Sequence, residues 1–267
     1  MLAPWIKLHD SQFQLGEGCL YDAPTSSIYW VDILGNSVNR LHLPTNSYRQ
    51  YLDVPEASAI LLAEEDFLLV TGRHSIWKLF LASGAKSEIF RLEAEALDNR
   101  CNEAKIDPFG NIWIGTMNRD ESKCSGSLWR IDQDFNQTKF GTNFGIPNTL
   151  LWDIERDRFY YGDSTSGAIY IDVIGVPLSK TVFFDNNSAL GLPDGSCIDS
   201  GGNIYNARWG ASLIAVINTS GKLSRTLGLP VKFPTSCSLL SNDSLVLTSA
   251  VGDSSNEVDG CLIRISV

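Results

Sequence analysis

The sequence predicts an all-β fold: a six-bladed β-propeller with four antiparallel strands per blade and an N-terminal strand closing the last blade. One observation is a pattern that recurs six times, made of a polar residue, four mostly small or apolar residues, a polar stop and then an apolar run. The stops fall at Asp22, Glu64, Asp107, Asp153, Asp199 and Ser241, at intervals of 42, 43, 46, 46 and 42 residues. A repeat of roughly 40–45 residues made of strands and turns marks a propeller blade. Another is the texture between the stops, where runs of Val, Ile, Tyr and Trp are broken by Gly, Pro, Asn and Asp, as in strands joined by tight turns. The last is that no stretch sustains a helical period, with a single short turn expected at Glu93 to Leu97.

Taken in chain order, the first repeat supplies GCLYD, SIYWVDI, SVNRLHL and YRQYL. The third repeat is the clearest. Asn102 to Asp107 is its inner strand, and Asp-Pro-Phe-Gly is a turn with Pro where its fixed φ fits. Asn111 to Met117, Gly126 to Asp132 and Thr138 to Thr142 are its second, third and outer strands. The fourth repeat gives TLLWDI, RFYYGDS, AIYIDVI and KTVFFD, and the fifth gives GSCID, NIYNARW, SLIAVIN and LSRTLGL. The last supplies only three strands, SCSLLS, SLVLTSA and GCLIRISV, while WIKLHD at the N-terminus is a strand without a blade. Pairing the two closes the ring and removes its exposed edges. The repeat fills the chain, so residues 1–267 read as one propeller domain. Tyr29, Trp113, Tyr160 and Tyr205, on the second strands, are expected to pack between blades.

Composition narrows the function. Hydrophobic residues make up 43% and charged residues 19%, as in ordinary soluble domains. A net charge of −10, with the acidic residues scattered, argues against nucleic acid or an anionic membrane as partner. No run approaches the roughly 18 apolar residues of a membrane helix. Met1 to Asp10 lacks the basic-then-apolar pattern of a secretion signal, so a cytoplasmic location is expected. The six cysteines include no CxxC pair and there are only three histidines, so buried free thiols are expected rather than disulfides or a zinc cluster.

In a radial repeat, equivalent positions meet on one axis. Five places before each stop stand Glu17, Ala59, Asn102, Asn148, Asp194 and Ser236. Each is expected at the start of an innermost strand, facing the central channel. Two carboxylates and two amides converging there suit a hard cation such as Ca²⁺, Mg²⁺ or Mn²⁺. The alternative is that they cap the channel against water and hold no metal.

At these residues the chain resembles the SMP-30/gluconolactonase (regucalcin) family. The matching segments are GEGCLYD (16–22), YWVDI (29–33), RCNEAKIDPFGNIWIGTM (100–117), GSLWRID (126–132), IPNTLLWD (146–153), FYYGDS (159–164), LPDGSCID (192–199) and PTSC (234–237). The resemblance implies a six-bladed propeller that holds one divalent cation (Ca, Zn, Mn or Mg) and hydrolyses sugar lactones. It implies that Glu17, Asn148 and Asp194 bind the metal, that Asp194 is the base, and that Arg100 and Asn102 meet the substrate. Glu103 stands where many members have Asp, so it is also expected at the substrate. Glu121 or Asp120, in the loop Asn118 to Ser125, is expected to approach as a lid acid. Arg100 could instead form a surface ion pair with Glu103, and Asp32 and Asp163 could support the site or merely cap turns. A cation-binding propeller without turnover and a hydrolase of another ester or a phosphotriester are the rival functions. Other chemistries fit poorly: there is no G-x-S-x-G, no HExxH and no glycine-rich phosphate loop, and His9, His42 and His74 lie off the axial positions.

Overall fold

A computed structural model describes residues 2–185, 190–252 and 256–267. Six four-stranded antiparallel sheets stand around a common axis. Blade one is Gly16–Asp22, Ser27–Asp32, Ser37–His42 and Ser47–Leu52, and blade two is Ala59–Ala63, Phe67–Thr71, Ser75–Phe80 and Lys86–Arg91. Blade three is Asn99–Ile106, Ile112–Asn118, Gly126–Ile131 and Gln137–Phe144. Blade four is Pro147–Asp153, Arg158–Asp163, Ala168–Val173 and Thr181–Asp185, and blade five is Leu192–Ile198, Ile204–Trp209, Leu213–Ile217 and Leu223–Gly228. In each of these the chain runs outward, inner strand first.

Blade six is Phe233–Ser241, Ser244–Ala250 and Ile263–Ser266, completed by Trp5–Lys7 from the other end of the chain. Trp5 pairs with Ile265 and Lys7 with Ile263. The closing strand buries little of itself, with all three residues exposed, so it holds by backbone hydrogen bonds. Two flanking bonds extend the clasp, Leu8 N to Leu262 O and Ser266 N to Pro4 O, both 2.9 Å. Ala3 N donates to Gly228 O at 2.9 Å, which ties the same segment to blade five.

The core lies between blades, in a series of separate clusters. Tyr29, Trp113, Tyr160 and Tyr205 are all buried there, as their place on second strands implies. Trp113 packs against Phe140, Trp152 and Phe159, joining blades three and four. All six cysteines are free, and Cys197 Sγ and Cys237 Sγ are 3.7 Å apart. Cys124 departs from the expected burial because it sits in the exposed loop before Gly126. Glu93 to Leu97 forms turns closed by Ala96 N to Glu93 O and Asn99 N to Ala96 O. A 3₁₀ turn at Ile154–Arg156, unforeseen from the sequence, is capped by Asp153 and ended by Asp157 in the left-handed region (φ 54°). Among the described residues no helix is long and apolar enough to cross a membrane.

The ladder between the two innermost strands slips in every blade, at the axial residue in five of them and just past Ala59 in blade two. The shifts fall between Glu17 and Leu20, Ile60 and Leu62, Cys101 and Ala104, Asn148 and Leu151, Pro193 and Ser196, and Pro234 and Cys237. Such bulges bend a strand and re-aim its side chains. In blade one the bulge requires glycine. Gly18 has φ +58°, and a Cβ on it would lie 2.8 Å from the Cα of Ala59.

The polar stops terminate the inner strands by capping the turns that follow. The Asp107 carboxylate accepts from the backbone N–H of Phe109 and Asn111, from Asn111 Nδ2 and from Trp113 Nε1. Asp199 accepts from Asn203 in the same way. Asp107→Ala would leave those donors orphaned beside a buried tryptophan. Each charge-assisted hydrogen bond contributes on the order of 1.5–3 kcal/mol, so the variant should be destabilised by about 3 kcal/mol, measurable by urea denaturation at unchanged m.

Candidate active site

Four axial side chains, Glu17, Asn102, Asn148 and Asp194, line one cavity of about 140 Å³ at one mouth of the channel. The other two axial residues do not join them. Ala59 and Ser236 line a second cavity beyond the axial ring, with Glu103 and Lys105. A narrow void bordered by Glu17, Ser58, Asn102, Glu103 and Asn148 lies between. Arg100 and Glu121 border the first cavity, whereas Glu103 borders only the other two.

Hydrogen bonds separate two amides that look equivalent in sequence. Asn148 Nδ2 donates to Ser164 Oγ at 2.9 Å, and Ser164 Oγ donates onward to Pro193 O at 2.6 Å. That fixes the Asn148 amide, whose oxygen meets only Asn102 Nδ2, at 3.4 Å. Asn102 is committed on both sides: Nδ2 donates to Pro147 O at 3.1 Å and Oδ1 accepts from Arg100 Nη1 at 2.9 Å. The oxygen of Asn148 is therefore the one left for a ligand.

Asp194 is held through its backbone. Its carbonyl accepts from Thr149 Oγ1 at 2.6 Å and Asn206 Nδ2 at 2.9 Å. Asn206 Oδ1 in turn accepts from Arg208 Nη1 at 2.8 Å, and Arg208 also donates to the carbonyls of Leu190 and Gly191. Arg208 is fully buried, which lowers its pKa to about 10. Sequence reading missed Ser164, Thr149, Asn206 and Arg208. The last two carried a legible signal, because two polar residues alternate on the strand Ile204–Trp209, which is otherwise buried.

The carboxylates crowd one another. Burial, with the charge of Glu103 second, raises Glu17 to about 8. Burial also raises Asp194 well above the usual range, with the charges of Glu17 and Glu103 adding to it. Burial raises Glu103. Their hydrogen bonds are short-range: Glu17 accepts from Gly18 N, Glu103 from Ala104 N and Asp194 from Gly195 N. Two desolvated carboxylates and a free amide oxygen form a donor set that fits a hard divalent cation, whose charge would relieve the repulsion. Among the described residues no three or more His, Cys, Asp or Glu side chains gather to hold a metal ion. The set here would draw on Asn148 as well as Glu17 and Asp194.

Arg100 makes no ion pair with Glu103. It lies at the mouth, where Nη1 donates to Cys101 O and Asn102 Oδ1. Burial lowers its pKa, while the charges of Glu56, Glu17 and Glu121 raise it. Glu56 also pairs with Arg119 and lies 3.7 Å from Arg73. Asp120 faces away, its carboxylate capping Ser122 N at 3.0 Å. Asp32 and Asp163 are turn caps: Asp32 accepts from the backbone of Gln14, Leu15 and Gly35, and Asp163 from Gly145, Ile146 and Thr165. They also fix the segments that carry Leu15 and Ile146 to the rim.

The profile of the SMP-30/gluconolactonase/LRE-like region matches residues 15–251. The chain belongs to this family. Pentonolactonase XacC of Haloferax volcanii is 26% identical over 280 residues, spanning 97% of this chain and 92% of that protein. A 6-deoxy-6-sulfogluconolactonase of Pseudomonas putida is 25% identical over 267 residues, spanning 95% and 91%. The crystal structure of a calcium-binding protein, regucalcin, from Agrobacterium tumefaciens superposes with a TM-score of 0.92 at 25% identity, covering 100% of this chain and 95% of that one. For this SMP-30/gluconolactonase family member the likeness extends over all six blades.

The raised Glu17 has a consequence for stability. A carboxyl whose folded pKa of about 8 exceeds its unfolded value near 4.5 binds more protons when folded. Its contribution is full below pH 4.5 and is lost as pH rises toward 8. The cation-free protein should therefore lose thermal stability between pH 5 and pH 8. Glu17→Gln should flatten that slope, as read from Tm at several pH values in the presence of a chelator.

Proposed function

We propose that this chain hydrolyses a lactone of the sugar-lactone type, with a divalent cation (Ca, Zn, Mn or Mg) held by Glu17, Asn148 and Asp194. The observation that carries this reading is the meeting of buried Asp194, half-buried Glu17, an oriented amide oxygen and the half-buried Arg100 guanidinium in one cavity. The names of the pentonolactonase and sulfogluconolactonase relatives support it.

Hydrolysis joins a water oxygen to the ring carbonyl, breaks the acyl C–O bond and returns a proton to the leaving alkoxide. When bound, the cation supplies Lewis acidity at that carbonyl. Asp194 takes the proton from water and delivers it to the alkoxide. It can do so only when ionised, a form that burial beside Glu17 disfavours and a neighbouring positive charge favours. Arg100 and Asn102, joined by their hydrogen bond, orient the substrate. Glu121 approaches from the loop at the mouth. Glu103 faces the lower voids, so its part is electrostatic, sustaining the negative field that draws a cation inward. Six free thiols support a reducing compartment, the cytoplasm.

A second reading, cation binding without turnover, is favoured by the calcium-binding description of the regucalcin relative. A panel of five- and six-carbon aldonolactones and phosphoesters with Ca²⁺, Zn²⁺, Mn²⁺ or Mg²⁺ distinguishes the two. Lactone turnover should appear with cation, and Asp194→Ala and Glu17→Gln should each reduce it by about 100-fold or more without lowering Tm in cation-free buffer. Turnover by Asp194→Ala at the parental rate would refute its role. No hydrolysis with any ion would favour the binding reading.

A further inference from the structure

The cavity has a second tier, one strand period above the axial ring. Two places before Glu17, Asn102, Asn148 and Asp194 stand Leu15, Arg100, Ile146 and Leu192, which line the mouth. Arg100 and Leu192 lie on their inner strands and Leu15 and Ile146 immediately before theirs, so this tier repeats the radial order of the first. Each member lies beside a partner from its second strand that also lines the cavity. Arg100 is opposite Met117 and Leu192 opposite Trp209. Ile33 N donates to Leu15 O, and Ser164 N to Ile146 O. The Ser164 hydroxyl is already committed to Asn148 and Pro193.

The resulting collar is lopsided. Blade three contributes Arg100, with Glu121 beside it from the loop. Both Arg100 hydrogen bonds run through Nη1, and the residue borders the cavity. The collar groups from blades one, four and five are hydrocarbon or indole, apart from the spent Ser164 hydroxyl. Blades one and five flank blade six, which stands across the ring from blade three. The mouth thus has a polar pole on one side and an apolar wall on the other.

Resting on the proposed lactonase activity, we propose that this collar selects hydroxy lactones with one polar substituent beside the carbonyl and hydrocarbon elsewhere, in preference to fully hydroxylated aldonolactones. Arg100 donates to Asn102 Oδ1, which holds its guanidinium beside the axial ring, so with the carbonyl at the axial residues the group it would reach is one borne near that carbonyl. A hydroxyl pressed on Leu15, Ile33 or Leu192 gives up its hydrogen bond to water and gains none, which disfavours that substrate by about ten-fold or more. A methyl group in the same place gains burial, worth roughly ten-fold upward in kcat/KM.

The test uses the full chain with its activating cation and two five-carbon lactones. D-xylono-1,4-lactone carries hydroxyls at C2, C3 and C5, whereas 2-hydroxy-γ-valerolactone carries one at C2 and a methyl at C4. The second should be hydrolysed with kcat/KM at least about ten-fold higher. Leu192→Asn and Ile146→Asn, each at the half-buried rim, should narrow that ratio about ten-fold, mainly through KM. A wild-type preference for the xylonolactone, or an unchanged ratio in both variants at parental Tm, overturns the collar inference and leaves lactone hydrolysis standing. No turnover of either lactone, or of the aldonolactone panel, by folded protein overturns the lactonase reading and this inference with it.

Discussion

Everything at the candidate site depends on interruption of the inner-strand ladder at the axis. By slipping register at Glu17, Asn102, Asn148 and Asp194, each inner strand turns one side chain inward along the channel. The geometry is strained where the neighbours demand it. Gly18 is confined against Ala59, and Thr149 holds φ 55° while its hydroxyl serves the Asp194 carbonyl. Strain of this kind persists only when surrounding contacts over-determine it, and the buried Arg208–Asn206 pair supplies such contacts for blade five.

Convergence has an electrostatic cost. Buried carboxylates are disfavoured as ions, and here Glu17, Glu103 and Asp194 share one channel. A protein gains nothing in stability from that arrangement alone, so its retention argues for a ligand that needs it. The half-buried guanidinium of Arg100 beside the set does not neutralise it. Arg100 is spent partly on Cys101 O and Asn102, and faces the mouth rather than the axis. The polar floor and the apolar rim divide the work, one acting on the carbonyl and the other on what surrounds it.

The fold was legible because a propeller repeats its instructions. The stops fell at inner-strand ends, and strand boundaries read from the sequence lie within three residues of the observed ones, as between Asn102 to Asp107 and Asn99–Ile106. The missing twenty-fourth strand could be inferred by simple edge-pairing logic. The convergence of four axial groups was also readable, since a fixed offset in a radial repeat is a fixed place in space. What was not readable depends on contacts between repeats. Asn102 and Asn148 are the same residue at the same offset, and only Ser164 and Arg100 distinguish their oxygens. Glu103 follows an axial residue by one place, and the bulge, invisible in sequence, sends it to the lower cavity.

The clasp in blade six bears on how the molecule comes into being. Trp5–Lys7 is made before the other strands of the ring, and its partner Ile263–Ser266 after them. The opening strand therefore waits unpaired while the blades between are made. The nascent arc meanwhile carries two open sheet edges, which invite wrong pairing with another chain. Closure joins segments far apart in the sequence, a topology that slows folding.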